Sequence, residues 1–301
     1  MSVGLQCGYV AILGRPNVGK STLLNRILGR KLSITSRRPQ TTRHRILGIK
    51  SNDTHQVIYV DTPGLHFDNK QALNRRMNKT AASAVHDVDI IVFVLAALHW
   101  TKEDELVLSL LQKSQVPVLV VVNKVDKVTD KARLLPYLTM VQETVKPTHL
   151  IALSAKSGAN IDILESHINT LLPASDFFYF PVETVTDKPD QFMISEMIRE
   201  KIMRALGQEL PYATTVQVQS LQKRADGLIS ISALILVERD SQKGIVVGEG
   251  GLRLREIGRQ ARIDMEKWLN AKVFLRLWVK VKSNWSDDER ALKQLGYDDE
   301  G

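Results

Sequence analysis

The segment Tyr9-Val10-Ala11-Ile12-Leu13-Gly14-Arg15-Pro16-Asn17-Val18-Gly19-Lys20-Ser21 decides the fold of this chain. Its first five residues read as a buried strand, and the rest has the spacing G-x-x-x-x-G-K-S of a phosphate-binding loop that precedes a helix. The glycines let backbone N–H groups wrap phosphates that a side chain would keep away. The pattern predicts that Lys20 neutralises the β- and γ-phosphates and that the Ser21 hydroxyl ligates Mg²⁺.

Three further segments follow in the order and spacing of a guanine-nucleotide site: Asp61-Thr62-Pro63-Gly64, Asn123-Lys124-Val125-Asp126 and Ser154-Ala155-Lys156. Asp61 ends an alternating strand, so its carboxylate is expected to hold a water bound to Mg²⁺. The Gly64 N–H is expected to meet the γ-phosphate and to order the following segment only with triphosphate bound.

The choice of base is expected to rest on Asp126. Its two carboxylate oxygens can accept from guanine N1–H and from the exocyclic amine, donors that adenine does not offer there. Asn123 is expected to brace the loop and reach the base, the Lys124 stem to cover the ring, and the Ala155 N–H to meet guanine O6. The predicted GTP-binding set is Gly14, Arg15, Pro16, Asn17, Val18, Gly19, Lys20, Ser21, Thr22, Asp61, Thr62, Pro63, Gly64, Asn123, Lys124, Asp126, Ser154, Ala155 and Lys156.

The polar, basic loop between Ser33 and Arg45 stands where a threonine that senses Mg²⁺ is required. Thr42 is the predicted ligand, beside Ser21 and Asp61, and Thr41 is the close alternative; a plain mobile loop is the structural alternative. Many GTP hydrolases position the attacking water with a glutamine directly after the Asp-x-x-Gly segment, but this chain has Leu65 there. Slow intrinsic turnover is therefore expected.

The composition indicates a folded protein with a polyanionic partner. A hydrophobic share of 44% suffices for real cores, and the formal net charge is +8. Arginines cluster at Arg37, Arg38, Arg43 and Arg45, and again at Arg253, Arg255, Arg259 and Arg262, which favours nucleic acid or an acidic membrane surface over a merely solvated face. Cys7 is the single cysteine, and the start of the chain lacks a signal-peptide pattern, so a cytoplasmic location is expected.

Two domains are predicted. In residues 5–173, short apolar strands alternate with amphipathic segments, which predicts an α/β P-loop GTPase domain with a mostly parallel sheet and helices on both faces. Residues 174–190 are rich in turns and read as a linker. Residues 191–282 have the α+β order α-β-β-α-α-β, and residues 283–301 suit a short helix and an acidic tail.

The C-terminal half carries a glycine loop, Gly248-Glu249-Gly250-Gly251, that precedes the second arginine cluster. In the last strand Val273, Leu275, Leu277, Val279 and Val281 are expected to face the core. Phe274, Arg276, Trp278 and Lys280 lie on the other face, where covering the sheet is favoured over stacking bases.

These segments, together with Gln40-Thr41-Thr42-Arg43-His44-Arg45 and the sequence Leu65-His66 after Gly64, resemble the Era family of bacterial GTPases over nearly the whole chain. The resemblance implies a GTPase domain followed by a type II KH domain that binds the 3′ end of 16S ribosomal RNA, a role in 30S subunit assembly, and partial association with the inner membrane. The apolar Leu65 fits, because the family carries an apolar residue in place of the catalytic glutamine.

The resemblance also implies residue roles. A KH domain clamps nucleotide backbone with a G-x-x-G loop, so Gly248, Glu249, Gly250, Gly251, Arg253, Arg255 and Arg259 are the predicted RNA-binding residues, although Glu249 would repel phosphate. Asn17 is a candidate ligand for potassium, a cation that could stabilise transition-state charge; alternatively, Asn17 only shapes the loop. The predicted catalytic set is Lys20, Thr42, Gly64 and Asn17.

The sequence thus predicts a monomer that binds GTP or GDP, Mg²⁺ and, through Asn17, K⁺. It is expected to hydrolyse GTP with a slow intrinsic rate and to bind ribosomal RNA, so that its nucleotide state gates a step of 30S subunit assembly. The rival class is a non-catalytic adaptor that holds GTP as a structural ligand at an RNA or membrane surface.

Overall fold

The computed structural model of the protein describes residues 4–36, 41–64, 72–83, 85, 87–206, 214–295 and 297. The predictions for Arg37, Arg38, Leu65 and the acidic end of the chain lie outside these residues. The described residues fall into two compact units, of which the second comprises 188–297 together with Ala72 and Leu73.

The first unit contains a seven-stranded sheet. Its strands are Leu5–Leu13 (β1), Ile46–Ser51 (β2), His55–Asp61 (β3), Ile90–Ala96 (β4), Val118–Asn123 (β5), His149–Ala152 (β6) and Ala174–Ser175 (β7). The helices in this part of the chain are Lys20–Ile27 (α1), Ala72–Ser83 (α2), Lys102–Leu111 (α3), Leu134–Val145 (α4) and Ile161–Leu171 (α5).

The strand order is β2-β3-β1-β4-β5-β6, and β7 adds to the start of β1. All pairings along this order are parallel except that of β2 with β3, and β7 runs antiparallel to β1. Every residue of β4 is buried, as expected for a strand covered on both faces. The predicted α/β fold is confirmed, and the four nucleotide motifs follow the carboxyl ends of β1, β3, β5 and β6, where open α/β sheets bind ligands.

Two strands of this sheet, β7 and β2, are absent from the sequence prediction; β7 has only two residues and falls in the predicted linker, whereas β2 has six residues. Gly48 interrupts its apolar pattern, and a Cβ atom at Gly48 would come within 2.7 Å of the Leu28 side chain. The glycine thus allows α1 to approach the strand, and this tertiary requirement leaves no signal in local propensity.

The segment after β7 is attached to the first unit. The Gln56 side chain donates from Nε2 to the Phe180 carbonyl at 2.7 Å and accepts from the Phe180 N–H at 2.9 Å. The Ile49 N–H donates to the Val185 carbonyl at 2.8 Å. Through these bonds, the irregular segment that follows β7 packs against the β2–β3 hairpin.

The second unit has the predicted order α-β-β-α-α-β. Its elements are Asp190–Ala205 (α6), Thr215–Lys223 (β8), Ile229–Val237 (β9), Asp240–Val247 (α7), Leu252–Leu269 (α8), Val273–Val281 (β10) and a final short helix, Glu289–Gln294 (α9). The sheet order is β10-β9-β8, with β9 parallel to β10 and antiparallel to β8. A short 3₁₀ turn, Glu249–Gly251, joins α7 to α8.

Among the residues that the structure describes, no helix is both long enough and apolar enough to cross a membrane.

Candidate nucleotide and RNA sites

The phosphate loop between β1 and α1 is built around two crowded glycines. Gly14 and Gly19 have φ angles of +150° and +108°, and a Cβ atom at either position would overlap a neighbour, the Val94 carbonyl oxygen or the Asn123 Nδ2. Non-glycine side chains are disfavoured by such backbone angles and excluded by this contact. Asn17 adopts a φ of +63°, a conformation that asparagine tolerates better than most residues.

Lys20 begins α1 and is buried inside this loop. Its ammonium donates to the Gly14 carbonyl at 2.8 Å and to the Arg15 carbonyl at 3.0 Å. Burial lowers its pKa to about 8, although the Asp61 carboxylate opposes the shift. A buried cation held by carbonyls can exchange these partners for the stronger, charged acceptors of a nucleotide phosphate.

Three oxygen side chains meet beside Lys20. The Ser21 and Thr42 hydroxyl oxygens lie 2.9 Å apart, and each donates to Asp61 Oδ2, at 3.2 Å and 3.4 Å. Within the part of the chain that the structure describes, Asp61 Oδ1 is buried and has no hydrogen-bond partner. Burial raises the pKa of Asp61, while the Lys20 charge and the hydroxyl bonds lower it.

This geometry separates the two candidate threonines. Thr42 lies in the cluster with Ser21 and Asp61, whereas the Thr41 hydroxyl lies 2.7 Å from that of Ser36. Two hydroxyls and a carboxylate with one unpartnered oxygen are the hard ligands that Mg²⁺ prefers, so the residues present fit that ion.

Part of the predicted phosphate-side set lines one pocket; the residues of that set outside its lining are Gly14, Arg15, Val18, Asp61, Thr62 and Pro63. Gly64 packs so closely on the loop that a Cβ atom there would lie 2.9 Å from the Pro16 nitrogen. Thr62 donates to the Ile12 carbonyl at 3.2 Å and so ties the β3 end to β1. The pocket is lined by Pro16, Asn17, Gly19, Lys20, Ser21, Thr22, Ile34, Thr35, Ser36, Thr41, Thr42 and Gly64.

The base-side residues are organised by Asn123. Its Nδ2 donates to the Val18 carbonyl at 2.8 Å, and its Oδ1 accepts from the Lys124 N–H at 2.7 Å and the Ala155 N–H at 2.9 Å. Asn123 thus braces the loop as expected. In this structure the Ala155 N–H, predicted to meet guanine O6, is bonded to Asn123 instead.

The acidic residue of this motif is oriented by a serine. Ser154 donates to Asp126 Oδ1 at 2.6 Å, and Asp126 remains exposed. The Lys124 ammonium donates to the Asn17 carbonyl, which places its aliphatic stem between the two loops. Arg26 donates to the carbonyls of Ala155 and Lys156 and so joins the Ser154–Lys156 segment to α1.

One residue of this site escaped the sequence analysis. Asp104, fully buried at the start of α3, accepts from Arg15 Nε at 3.1 Å and caps its own helix through the Thr101 N–H at 3.0 Å. The Arg15 side chain is therefore turned toward α3 and fixes the loop whose carbonyl holds Lys20. The available signal was the pattern Thr101-x-x-Asp104, a capping box, but nothing in it indicates the partner arginine.

The second unit places the predicted RNA-binding residues around the start of α8. Gly248, Gly250 and Gly251 all have positive φ angles, and a Cβ atom at Gly248 would lie 2.7 Å from the Arg253 Cβ. The Arg253 guanidinium donates to the Ile245 carbonyl at the end of α7. Arg259 forms two bonds with Glu256, at 2.8 Å and 2.7 Å, which offsets its charge.

A groove runs between α8 and β10. We call it the α8–β10 groove; it is lined by Gly251, Leu254, Arg255, Gly258, Arg259, Arg262, Phe274, Leu275 and Leu277. Of the predicted arginines, Arg255 and Arg259 line it and Arg253 does not. Leu254 and Gly258 were missed, because an apolar residue and a glycine on a helix read as packing residues.

Two family models match parts of this chain. Residues 9–124 match the model described as 50S ribosome-binding GTPase, and residues 209–286 match the KH domain model.

Curated relatives match over the full length. The chain is 54% identical over 298 residues to GTPase Era of Pseudomonas fluorescens, with 99% of each covered. It is 55% identical over 293 residues to GTPase Era of Coxiella burnetii, with 97% of this chain and 98% of the relative covered.

Two solved structures share the whole fold. A variant of Aquifex aeolicus Era bound to GDP.AlF4− superposes with a TM-score of 0.93 at 35% identity. An Era complex with MgGDPNP and nucleotides 1506–1542 of 16S ribosomal RNA gives a TM-score of 0.93 at 36% identity. Each comparison covers 97% of this chain and 99% of the other. The chain therefore belongs to the Era family of GTPases, with a nucleotide-binding GTPase domain followed by a KH domain.

Proposed function

We propose that this GTPase binds the 3′ end region of 16S ribosomal RNA through its KH domain and that its nucleotide state times a step of 30S subunit assembly. The observation that carries the proposal is the α8–β10 groove with its glycine turn and arginines, on the same chain as a GTPase domain with a phosphate-side pocket. The solved Era complex with GDPNP and 16S RNA supports it. In domain terms, residues 5–173 form the GTPase domain, 174–190 a linker, 191–282 the KH domain, and 283–301 a C-terminal extension.

Guanine selection is assigned to Asp126. Because Ser154 holds one of its carboxylate oxygens, the carboxylate has a fixed orientation when it accepts from the guanine N1–H and amine. Asn123 fixes the surrounding backbone, and the Lys124 stem covers the ring. The Ala155 N–H has to share or release its bond to Asn123 when it meets guanine O6.

Ser21, Thr42 and Asp61 are the residues that would hold Mg²⁺. When bound, this ion supplies positive charge that neutralises the β- and γ-phosphate oxygens. The chain itself contributes the Lys20 ammonium and the Gly64 N–H to the γ-phosphate. The Thr42 hydroxyl lies with Ser21 and Asp61 but belongs to a different loop from either residue. We therefore propose that Thr42 is held in this position when the γ-phosphate and its Mg²⁺ are bound.

Water activation is the weak step of this site. Leu65 offers no group that could orient the attacking water, so slow turnover is proposed for the isolated chain. The side chain of Asn17 is exposed at the phosphate loop, and we assign it to a potassium ion that offsets transition-state charge. We further propose a monomer of the cytoplasm with peripheral contact to the inner membrane.

The RNA assignment is tested by fluorescence anisotropy with a labelled RNA that matches the 3′ end of 16S ribosomal RNA. The variant Arg255→Gln with Arg262→Gln replaces two of the three groove arginines and leaves Arg259, whose charge Glu256 offsets. We expect the affinity to fall at least tenfold and the salt dependence to flatten. Arg133→Gln, an exposed arginine of the first unit, is the matched control and should leave both unchanged. Equal affinities for all three proteins would contradict the proposal.

A further inference from the structure

The sheet of the second unit has two unlike faces. The alternate residues Ile229, Ile231, Ala233, Ile235 and Val237 of β9 are buried, and α8 packs on this side, since a Cβ atom at Gly258 would lie 3.3 Å from Leu277 Cδ1. The opposite face carries the other set of alternate residues. At one end of that face Thr215 is buried, and its hydroxyl lies 3.2 Å from Tyr297 Oη. The rest of the face carries exposed rings.

The exposed part centres on the edge strand β10. Phe274 and Trp278 are 39% and 47% exposed, and Arg276 stands between them on the same face. The guanidinium of Arg276 lies over the Phe274 ring at 5.1 Å from its centroid, and that of Arg224 lies over the same ring at 5.8 Å. We call Phe274, Arg276, Trp278 and Arg224 the platform.

The charge of this face has one sign. β8, β9 and β10, whose residues all lie within the described part of the chain, contain no Asp or Glu. β10 contributes Arg276 and Lys280 to this face, whereas Lys223 pairs with Ile229 and so lies on the other face. Neutral polar side chains complete the rows across the strands: the register aligns Phe274 with Ser230 and Gln222, and Arg276 with Ser232 and Ser220. Asp226 lies in the β8–β9 turn, where it accepts from the Leu228 N–H.

Alternating rings and cations suit one class of ligand. A single-stranded nucleic acid presents a base and a phosphate at each step, and exposed aromatic residues on a sheet stack bases while arginines meet phosphates. An apolar protein surface is less well matched, because Arg276 and its neighbours would lose water without gaining a carboxylate.

The platform is continuous with the α8–β10 groove, because Phe274 belongs to both. We propose that the platform is a second RNA-binding surface, on which bases of single-stranded RNA next to those in the groove stack on Trp278 and Phe274 while Arg276 and Arg224 bind their phosphates. The inference rests on RNA binding by the groove, and it extends the RNA path from the helical side of the domain around its edge strand.

The test compares two RNAs on the full chain with Mg²⁺ and GDPNP. One has about four nucleotides, the length that a KH loop clamps; the other carries about four more at each end. The variants Trp278→Phe and Trp278→Leu both shorten the side chain, but only the first keeps an aromatic face. Phe177→Leu, an exposed ring of the first unit, is the control.

We expect the longer RNA to bind wild type more tightly than the shorter one. Trp278→Leu should weaken binding of the longer RNA about fivefold or more, and Trp278→Phe and Phe177→Leu less than twofold. Binding of the shorter RNA should not change in any of them. Arg276→Gln should lower the salt slope for the longer RNA by roughly 0.7, the value for one phosphate on a single strand.

Equal binding of the two RNAs by wild type, or an unchanged affinity of Trp278→Leu for the longer RNA, would overturn the inference and leave the groove assignment standing. Loss of vesicle binding by Trp278→Leu on anionic phospholipid vesicles, with RNA affinity intact, would assign the platform to membranes and also overturn it. If wild type binds neither RNA, the proposed function fails first, and the platform with it.

Discussion

Lys20 shows how a single side chain can cost stability in order to bind phosphate. Its pKa of about 8, lowered by burial, lies well below the value of an exposed lysine, so the folded, nucleotide-free protein binds this proton less tightly than the unfolded chain. The shift of about 2.5 units is equivalent to about 3 kcal/mol of destabilisation at neutral pH. A nucleotide phosphate offsets that cost.

The pH dependence follows from the sign of this shift. Above pH 8 the unfolded chain holds more protons than the folded one, so the free energy of unfolding of nucleotide-free wild type rises with pH. Relative to Lys20→Met, which lacks the group, wild type should gain about 1 kcal/mol between pH 8 and pH 9 in urea titrations.

GTP affinity should change in the opposite direction. Because only the charged ammonium attracts phosphate, the affinity of wild type should fall about tenfold from pH 7 to pH 9 as Lys20 loses its proton. Lys20→Arg keeps its charge over this range and should show no such fall. A wild-type affinity independent of pH would show that Lys20 is not buried as described.

In the phosphate loop, the spacing of the glycines in the sequence predicted the structure because each of these glycines is required by a steric contact. Gly14 and Gly19 are the two glycines of the G-x-x-x-x-G-K-S motif, and at each of them a Cβ atom would overlap a neighbouring atom. Gly29 also has a positive φ, +66°, but nothing lies within 4 Å of the position of its Cβ. Substitution of Gly29 would therefore introduce backbone strain alone, whereas substitution of Gly14 or Gly19 would add a steric overlap.

Alanine at the two positions should have different effects. Gly19→Ala should lower the affinity for GTP at least tenfold, because the new methyl group displaces the Asn123 side chain. Asn123 ties the phosphate loop to the base-side loop through its hydrogen bonds. Gly29→Ala should cost about 1 kcal/mol of stability and leave GTP affinity within twofold. Calorimetric titration with GTP measures both. Similar losses of affinity would mean that strain, not the contact with Asn123, limits the site.

Other elements were predictable only in part. The parallel strands and the order of the second unit follow from apolar periodicity. The strand β2 was missed because Gly48 is required by its close contact with Leu28, which local sequence does not show. Asp104 was missed because its partner Arg15 lies 89 residues away in sequence. The arginines after the glycine turn were recognised as a cluster, but only the tertiary fold shows that Arg253 caps α7 while Arg255 faces the groove.

On the scale of the whole molecule, the central claim is that a slow GTPase binds ribosomal RNA and that its nucleotide state times a step of 30S subunit assembly. The residues that line the phosphate-side pocket belong to the first unit, and those that line the α8–β10 groove belong to the second. Coupling between them would have to be reciprocal: if RNA changes the affinity for GTP, GTP changes the affinity for RNA by the same factor.

The most direct test is phosphate release from GTP by the full chain, in sodium and in potassium, with and without an RNA that matches the 3′ end of 16S ribosomal RNA. The account predicts slow turnover in sodium, a several-fold increase with RNA or potassium, and loss of the potassium effect in Asn17→Ala. Lys20→Ala gives the background. A rate that neither RNA nor potassium changes, from protein that binds both GTP and the RNA, would contradict the claim that RNA binding and GTP hydrolysis belong to one mechanism.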